Sequence, residues 1–341
     1  MNNANKKEFN KNMNVLRGIG VFLVVLGHAS FKENFVKIVP NTTYLKWLVE
    51  FIYTFHMPLF FFISGFFAKK MFEIKSKKEY LSYIKRKSFR LLLPYFTFSI
   101  LGLAIKLLMS NYANNPVNIN TVFLDILINP WENPIKLLWF IYTLYFIYLL
   151  LPLLNKLNNK IKLIVLGVSW VIPISYGIIF NINGIIRYSL FVILGYEFYK
   201  KYNLYISRKK YVIKPILQFL FLILINIKPI QTGNLVNVFE LVCSLLAISA
   251  LLDFVHIIKL DGIFGKVFNY LGKYSYDIYL LHWFFQMPVR LVYEKLKFDY
   301  NILFFIALLA AFISIPVSKF IIKRVPLFNF LLFGNNNKDI K

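Results

Sequence analysis

Four histidines and a single cysteine supply the reactive side chains of this 341-residue chain. His28 follows Arg17 by 11 residues in NVLRGIGVFLVVLGHAS. At about 100° per residue the two share one face of a helix, about 16.5 Å apart along its axis. An imidazole titrates near neutral pH and can act as general base or nucleophile. A guanidinium grips phosphate or carboxylate through paired N–H groups. The plainer account of the pair is a snorkelling arginine and an interfacial histidine.

Three further groups have chemistry to offer. His56 opens HMPLFFFISGFFAKK, with Pro58 in its first turn and Ser64 and Gly65 small enough for a close neighbour. It reads as a site residue or as an interfacial anchor. In YIKRKSFRLLLPYF, Arg86 and Arg90 are four apart and Lys87 and Arg90 three apart, so the cations line one side of a helix. Such a group suits phosphates, and serves equally as a topology signal. In SYDIYLLHWFF, Ser275, Tyr279 and His282 share a face while Asp277 is rotated away. They form a site or simply hydrogen bonds between helices. The dispersed histidines and Cys243 have no zinc-ligand spacing, so no metal is expected. No Gly-rich phosphate loop is present.

The elements that carry these residues are membrane spans. Hydrophobic residues make up 58% of the chain and charged residues only 16%, too apolar for an ordinary soluble enzyme or a nucleic-acid binder. Stretches of about 20 apolar residues are needed to cross the hydrocarbon as helix. Ten are expected, near 14–31, 47–68, 91–110, 135–154, 163–180, 185–200, 213–227, 236–256, 271–289 and 301–322. The apolar stretch from Val15 to Ala29 lacks a small-residue cleavage site, so it reads as a span rather than a removed signal. Of the 40 Lys and Arg, 30 fall in loops on one side and nine on the other. That bias places both termini in the cytoplasm and the cations against anionic lipid. The expected fold is all-α, a polytopic bundle of about ten helices forming one domain over 1–341. Residues 1–13 and 323–341 read as cytoplasmic tails.

Five strings, in order from residue 14 to 282, carry a resemblance: LRGIGVFLVVLGH, FHMPLFFFISGF, KSFRLLLPYF, LWFIYTLYFIYLLLPLL and LGKYSYDIYLLH. Together they resemble the acyltransferase-3 family of integral membrane acyltransferases, and more narrowly its fucose 4-O-acetylase-like branch. The resemblance implies a cytoplasmic acyl-CoA donor, acetyl-CoA above others, and an extracytoplasmic acceptor hydroxyl on a surface glycan or lipid-linked saccharide. It also implies the plasma membrane of a bacterium, with no permanently bound cofactor. Arg17 and His28 match the family's first-helix pair. Lys87 and Arg90 match its Arg-x-x-Arg motif with Lys in the first place, and Arg86 beside it can take that role. Asn14 stands where an acid often precedes the LRG string. No SGNH-type domain is attached, so a mechanism that needs one calls for a separate extracytoplasmic partner.

On this basis His28 is the expected base, with a transient acyl-His28 as the alternative. Arg17, Arg86, Lys87 and Arg90 are expected to hold the donor's phosphates, while His56, Tyr279 and His282 orient the acceptor or donate to the oxyanion. The rival class is a transporter or flippase of lipid-linked saccharide. Such proteins often show internal repeats, and none is visible here.

Overall fold

A computed structural model describes residues 3–31, 43–110, 117–154, 157–171, 179–206, 211–227, 235–296 and 299–335. Most of the expected outer loop 29–47 and the last six residues of the expected C-terminal tail lie outside these. The described residues are helical, with no strand among them. Seven helical stretches are long and apolar enough to cross a membrane: Lys11–Ala29, Tyr44–Phe66, Lys77–Leu108, Lys136–Leu154, Ile179–Tyr205, Val236–Ile257 and Tyr300–Arg324. The fold is thus all-α and polytopic.

Three of the ten expected spans are not among these seven: 163–180, of which 172–178 lie outside the described residues, 213–227 and 271–289. Ile213–Ile225 is apolar but only 13 residues long. Ser275–Leu296 has the length, 22 residues, yet Asp277, His282, Gln286 and Arg290 are all buried along it. Apolar side chains such as Leu108, Leu224, Phe305 and Leu309 stand exposed instead, the arrangement that lipid as solvent favours. Neither end is a free tail throughout: a helix begins at Asn3, and Pro326–Phe333 is helical with Asn329 and Phe333 buried.

The chain forms two compact units. The first comprises residues 1–67, 170–173 and 191–314. Its central element is the Asn3–Ala29 helix, which packs against Thr43–Tyr53, His56–Phe66, Val236–Ile257, Ile263–Lys273, Ser275–Leu296 and Tyr300–Ala311. A helix so enclosed is mostly apolar or small around its circumference. Val15, Leu16, Val21 and Val25 are fully buried. Glycine permits the closest approach: a Cβ on Gly18 would lie 1.9 Å from the Phe268 carbonyl oxygen, and one on Gly272 would lie 1.8 Å from that of Asn14. The LRG and LGK strings therefore hold two backbones together.

The second unit comprises residues 68–169, 174–190 and 315–341. Ser76 caps the Lys77–Lys87 helix by accepting from the Glu79 N–H, the N-terminal device that S-x-x-E encodes. A five-residue π-helical stretch, Ser88–Leu92, leads into Leu93–Leu108. The turn at Phe180–Asn181 has positive φ at both residues. The Asn181 side chain holds it there, accepting from Trp131 Nε1 at 3.1 Å and donating to Thr143 Oγ1 at 2.6 Å.

Candidate active site

The first unit contains all four histidines and brings three of them together. His28 lies one residue before the end of the Asn3–Ala29 helix. His56 is the first residue of His56–Phe66. His282 sits in the second turn of Ser275–Leu296. The ring centroids of His28 and His282 are 5.4 Å apart. Tyr53 joins the third: its hydroxyl lies 3.3 Å from His28 Nδ1, and its ring is 4.7 Å from that of His56.

A built break in the chain sets Tyr53 and His56 at this point. Thr43–Tyr53 ends, Thr54 and Phe55 turn, and a new helix starts at His56. The Thr54 hydroxyl donates back to the Phe51 carbonyl at 2.7 Å, and Ser244 Oγ donates to the Thr54 carbonyl at 2.8 Å. The backbone groups freed by the break are thus satisfied inside the bundle, as a membrane interior requires. Gly27 leaves room for Tyr53, since a Cβ there would lie 3.0 Å from the tyrosine ring. Gln286 fastens the His282 helix to the first helix by donating to the Val25 carbonyl at 3.1 Å.

Hydrogen bonding fixes two tautomers. His56 Nδ1 lies 2.9 Å from the Ile52 carbonyl oxygen. His282 Nδ1 lies 2.9 Å from both the Ile278 and Tyr279 carbonyls. A carbonyl only accepts, so each Nδ1 carries the proton and each neutral ring keeps its lone pair at Nε2. His282 is fully buried, and its Nε2 has no hydrogen-bond partner among the described residues. Buried polar atoms are nearly always paired in native structures, and an exception calls for an explanation. An unoccupied lone pair beside a second imidazole is what a base or nucleophile awaiting substrate presents.

The remaining expected residues fall elsewhere. Tyr279 is half-buried and reaches the group through its backbone carbonyl. Asp277, set aside on helical spacing, is buried at 5% exposure. Arg17 is half-buried, with its guanidinium carbon 3.9 Å from the Phe67 ring centroid, a cation–π contact that helps accommodate a charge in the bundle. Tyr53 is the residue that sequence reasoning missed. Its only signal is a place three positions before His56, and the intervening break defeats helical spacing.

The second unit holds the other cations. Arg86 is exposed. Lys87 is half-buried, its ammonium 3.8 Å from the Tyr148 ring centroid and 5.5 Å from that of Tyr83. Arg90 Nη1 donates to the Phe333 carbonyl at 2.9 Å and also to Asn335 Oδ1. It thereby caps the carbonyl end of the Pro326–Phe333 helix, where a cation complements the helix dipole. Gly334 adopts the left-handed conformation at that end, φ 65°, and a Cβ there would lie 2.0 Å from the Phe89 carbonyl oxygen. Among the described residues, no set of three His, Cys, Asp or Glu side chains is placed to hold a metal ion.

The fold is that of a polytopic all-α membrane protein, and its first unit encloses a group of imidazoles. The chain belongs to the acyltransferase-3 family: the family's acyltransferase-domain model matches residues 10–321, a range that takes in every site residue named above. No curated protein and no solved structure matches the chain.

Proposed function

We propose that this membrane acyltransferase is an O-acetyltransferase, moving an acetyl group from cytoplasmic acetyl-CoA to a hydroxyl of an extracytoplasmic or lipid-linked saccharide. The observation that supports it most is the buried imidazole group in which His282 Nε2 keeps an unpartnered lone pair. In this reaction an imidazole takes the proton of the acceptor hydroxyl. The oxygen forms a bond to the thioester carbonyl, the C–S bond breaks, and the proton passes to the departing thiolate. His28 and His282 are the two candidates for that imidazole, and Tyr53 orients His28. A transient acyl-imidazole on either ring is the alternative sequence of the same bonds.

Arg17 stands on the same helix as His28, about 16.5 Å along its axis, and is proposed to hold an anionic part of the donor. Arg86 and Lys87 offer the same chemistry in the second unit. Arg90 is engaged by the Pro326–Phe333 helix end, so its contribution is to hold the cation segment in shape. The proposed location is a bacterial plasma membrane with both termini cytoplasmic, and the charge bias supports that orientation.

Transfer of label from radioactive acetyl-CoA tests the reading, in membranes holding wild type, His28→Ala or His282→Ala at equal abundance. Label reaching glycan with wild type and lost in both variants is the expected result. Glycan export that depends on the protein without consumption of acetyl-CoA would instead identify a transporter.

A further inference from the structure

Three polar side chains recur at every fourth position of the Ser275–Leu296 helix: His282, Gln286 and Arg290. All are buried, at 0%, 2% and 5% exposure. Positions i, i+4 and i+8 form a stripe on one helix face. His282 begins it within the imidazole group, and Gln286 follows, fastened to the Val25 carbonyl. Arg290 ends it, about 12 Å beyond His282 along the axis, on the side that the charge bias assigns to the exterior.

A guanidinium enclosed in a membrane bundle is costly, and its retention marks a ligand or transport site by default. It forms an ion pair with Glu294, one turn further on, with Nε to Oε1 at 3.4 Å. That is longer than a strong charge-assisted hydrogen bond. The Glu294 side chain is also 25% exposed against 6% for Arg290. The acid is therefore the member of the pair that can turn to water and yield its place to another anion.

We propose that Arg290 recognises an anionic group of the acceptor, a phosphate or a carboxylate, and holds it while the acceptor hydroxyl lies at His282. The inference rests on the acyl-transfer reading above. It adds that the acceptor is anionic and enters along the His282–Gln286–Arg290 face. Glu294 neutralises Arg290 in the empty protein and competes with the incoming anion.

Two measurements test this. The first is direct binding of a polyprenyl-diphosphate saccharide, a soluble uronic-acid oligosaccharide and a neutral oligosaccharide to the purified full-length protein in detergent. The second is acetyl transfer to the same three, with the Michaelis constants for acceptor and acetyl-CoA determined separately. Arg290→Gln is expected to weaken anionic acceptors at least tenfold while leaving the constant for acetyl-CoA unchanged. Glu294→Gln is expected to leave them as tight or tighter, and Arg290→Lys to restore part of the loss. Preference for the diphosphate lipid identifies a phosphate as the anion, and preference for the uronate a carboxylate. Equal losses in Arg290→Gln and Glu294→Gln would show a structural ion pair and overturn the proposal. So would binding of the neutral saccharide alone. Arg290-dependent binding with no acetyl transfer to any acceptor would sustain the anion site and defeat the acyl-transfer reading.

Discussion

His282 and Arg86 stand at opposite extremes among the functional candidates. His282 is fully enclosed, its ring set by two backbone carbonyls of its own helix and lying beside the His28 ring from a helix far away in sequence. Arg86 is exposed and belongs to a cluster contiguous in sequence. In the first group the protein spends its structure on holding a ring with one nitrogen presented. In the second it supplies charge and leaves water to solvate it. A buried group owes its properties to its neighbours, whereas an exposed cation keeps its ordinary charge wherever it stands. Mutations should therefore act sharply on the histidines and gradually on the cations.

Removing the imidazole should have the largest effect. His282→Ala is expected to lower acetyl transfer by about 10²–10⁴, the usual range for loss of a positioned acid or base, with unchanged abundance in the membrane. A loss confined to abundance would assign His282 to packing and break the contrast. Next comes the backbone contact that seats the group. Gly272→Ala places a Cβ where the Asn14 carbonyl now lies and should destabilise the protein by about 1–3 kcal/mol, as overpacking does. Thermal unfolding in detergent reads this as a lowered midpoint. Tyr53→Phe keeps the ring and deletes the hydroxyl bonded to His28. Loss of one such bond, about 1 kcal/mol, predicts a roughly fivefold drop in transfer with the acceptor and donor constants little changed. The smallest expected effect is that of Arg86→Gln, a few-fold rise in the Michaelis constant for acetyl-CoA that higher salt reproduces in the wild type. Arg90→Gln sharpens the comparison within the cation segment. It should lower the thermal midpoint more than Arg86→Gln does, because it uncaps the Pro326–Phe333 helix.

Much of this was legible in the sequence. Apolar runs and the distribution of Lys and Arg imply a polytopic helical protein because lipid forces backbone hydrogen bonds to close within each segment. Arg17 and His28 could be placed on one face because a helix repeats regularly between them. The family strings marked the elements that matter, LRG and LGK among them. Hydropathy does not register how the polar face of Ser275–Leu296 is sheltered by neighbouring helices.

What the sequence determined by itself is thus each local term: which segments are helices, which residues share a helix face, which loops carry charge. These depend on contacts a few residues apart, and their geometry is fixed by the backbone. The tertiary structure alone decided that His28, His56 and His282 meet. It likewise decided that Tyr53 bridges two of them and that Arg90 is taken up by a helix more than 200 residues away. Those associations depend on packing between segments distant in sequence, where glycines such as Gly18 and Gly272 let backbones touch. Nothing in the spacing of one helix states which other helix will lie against it.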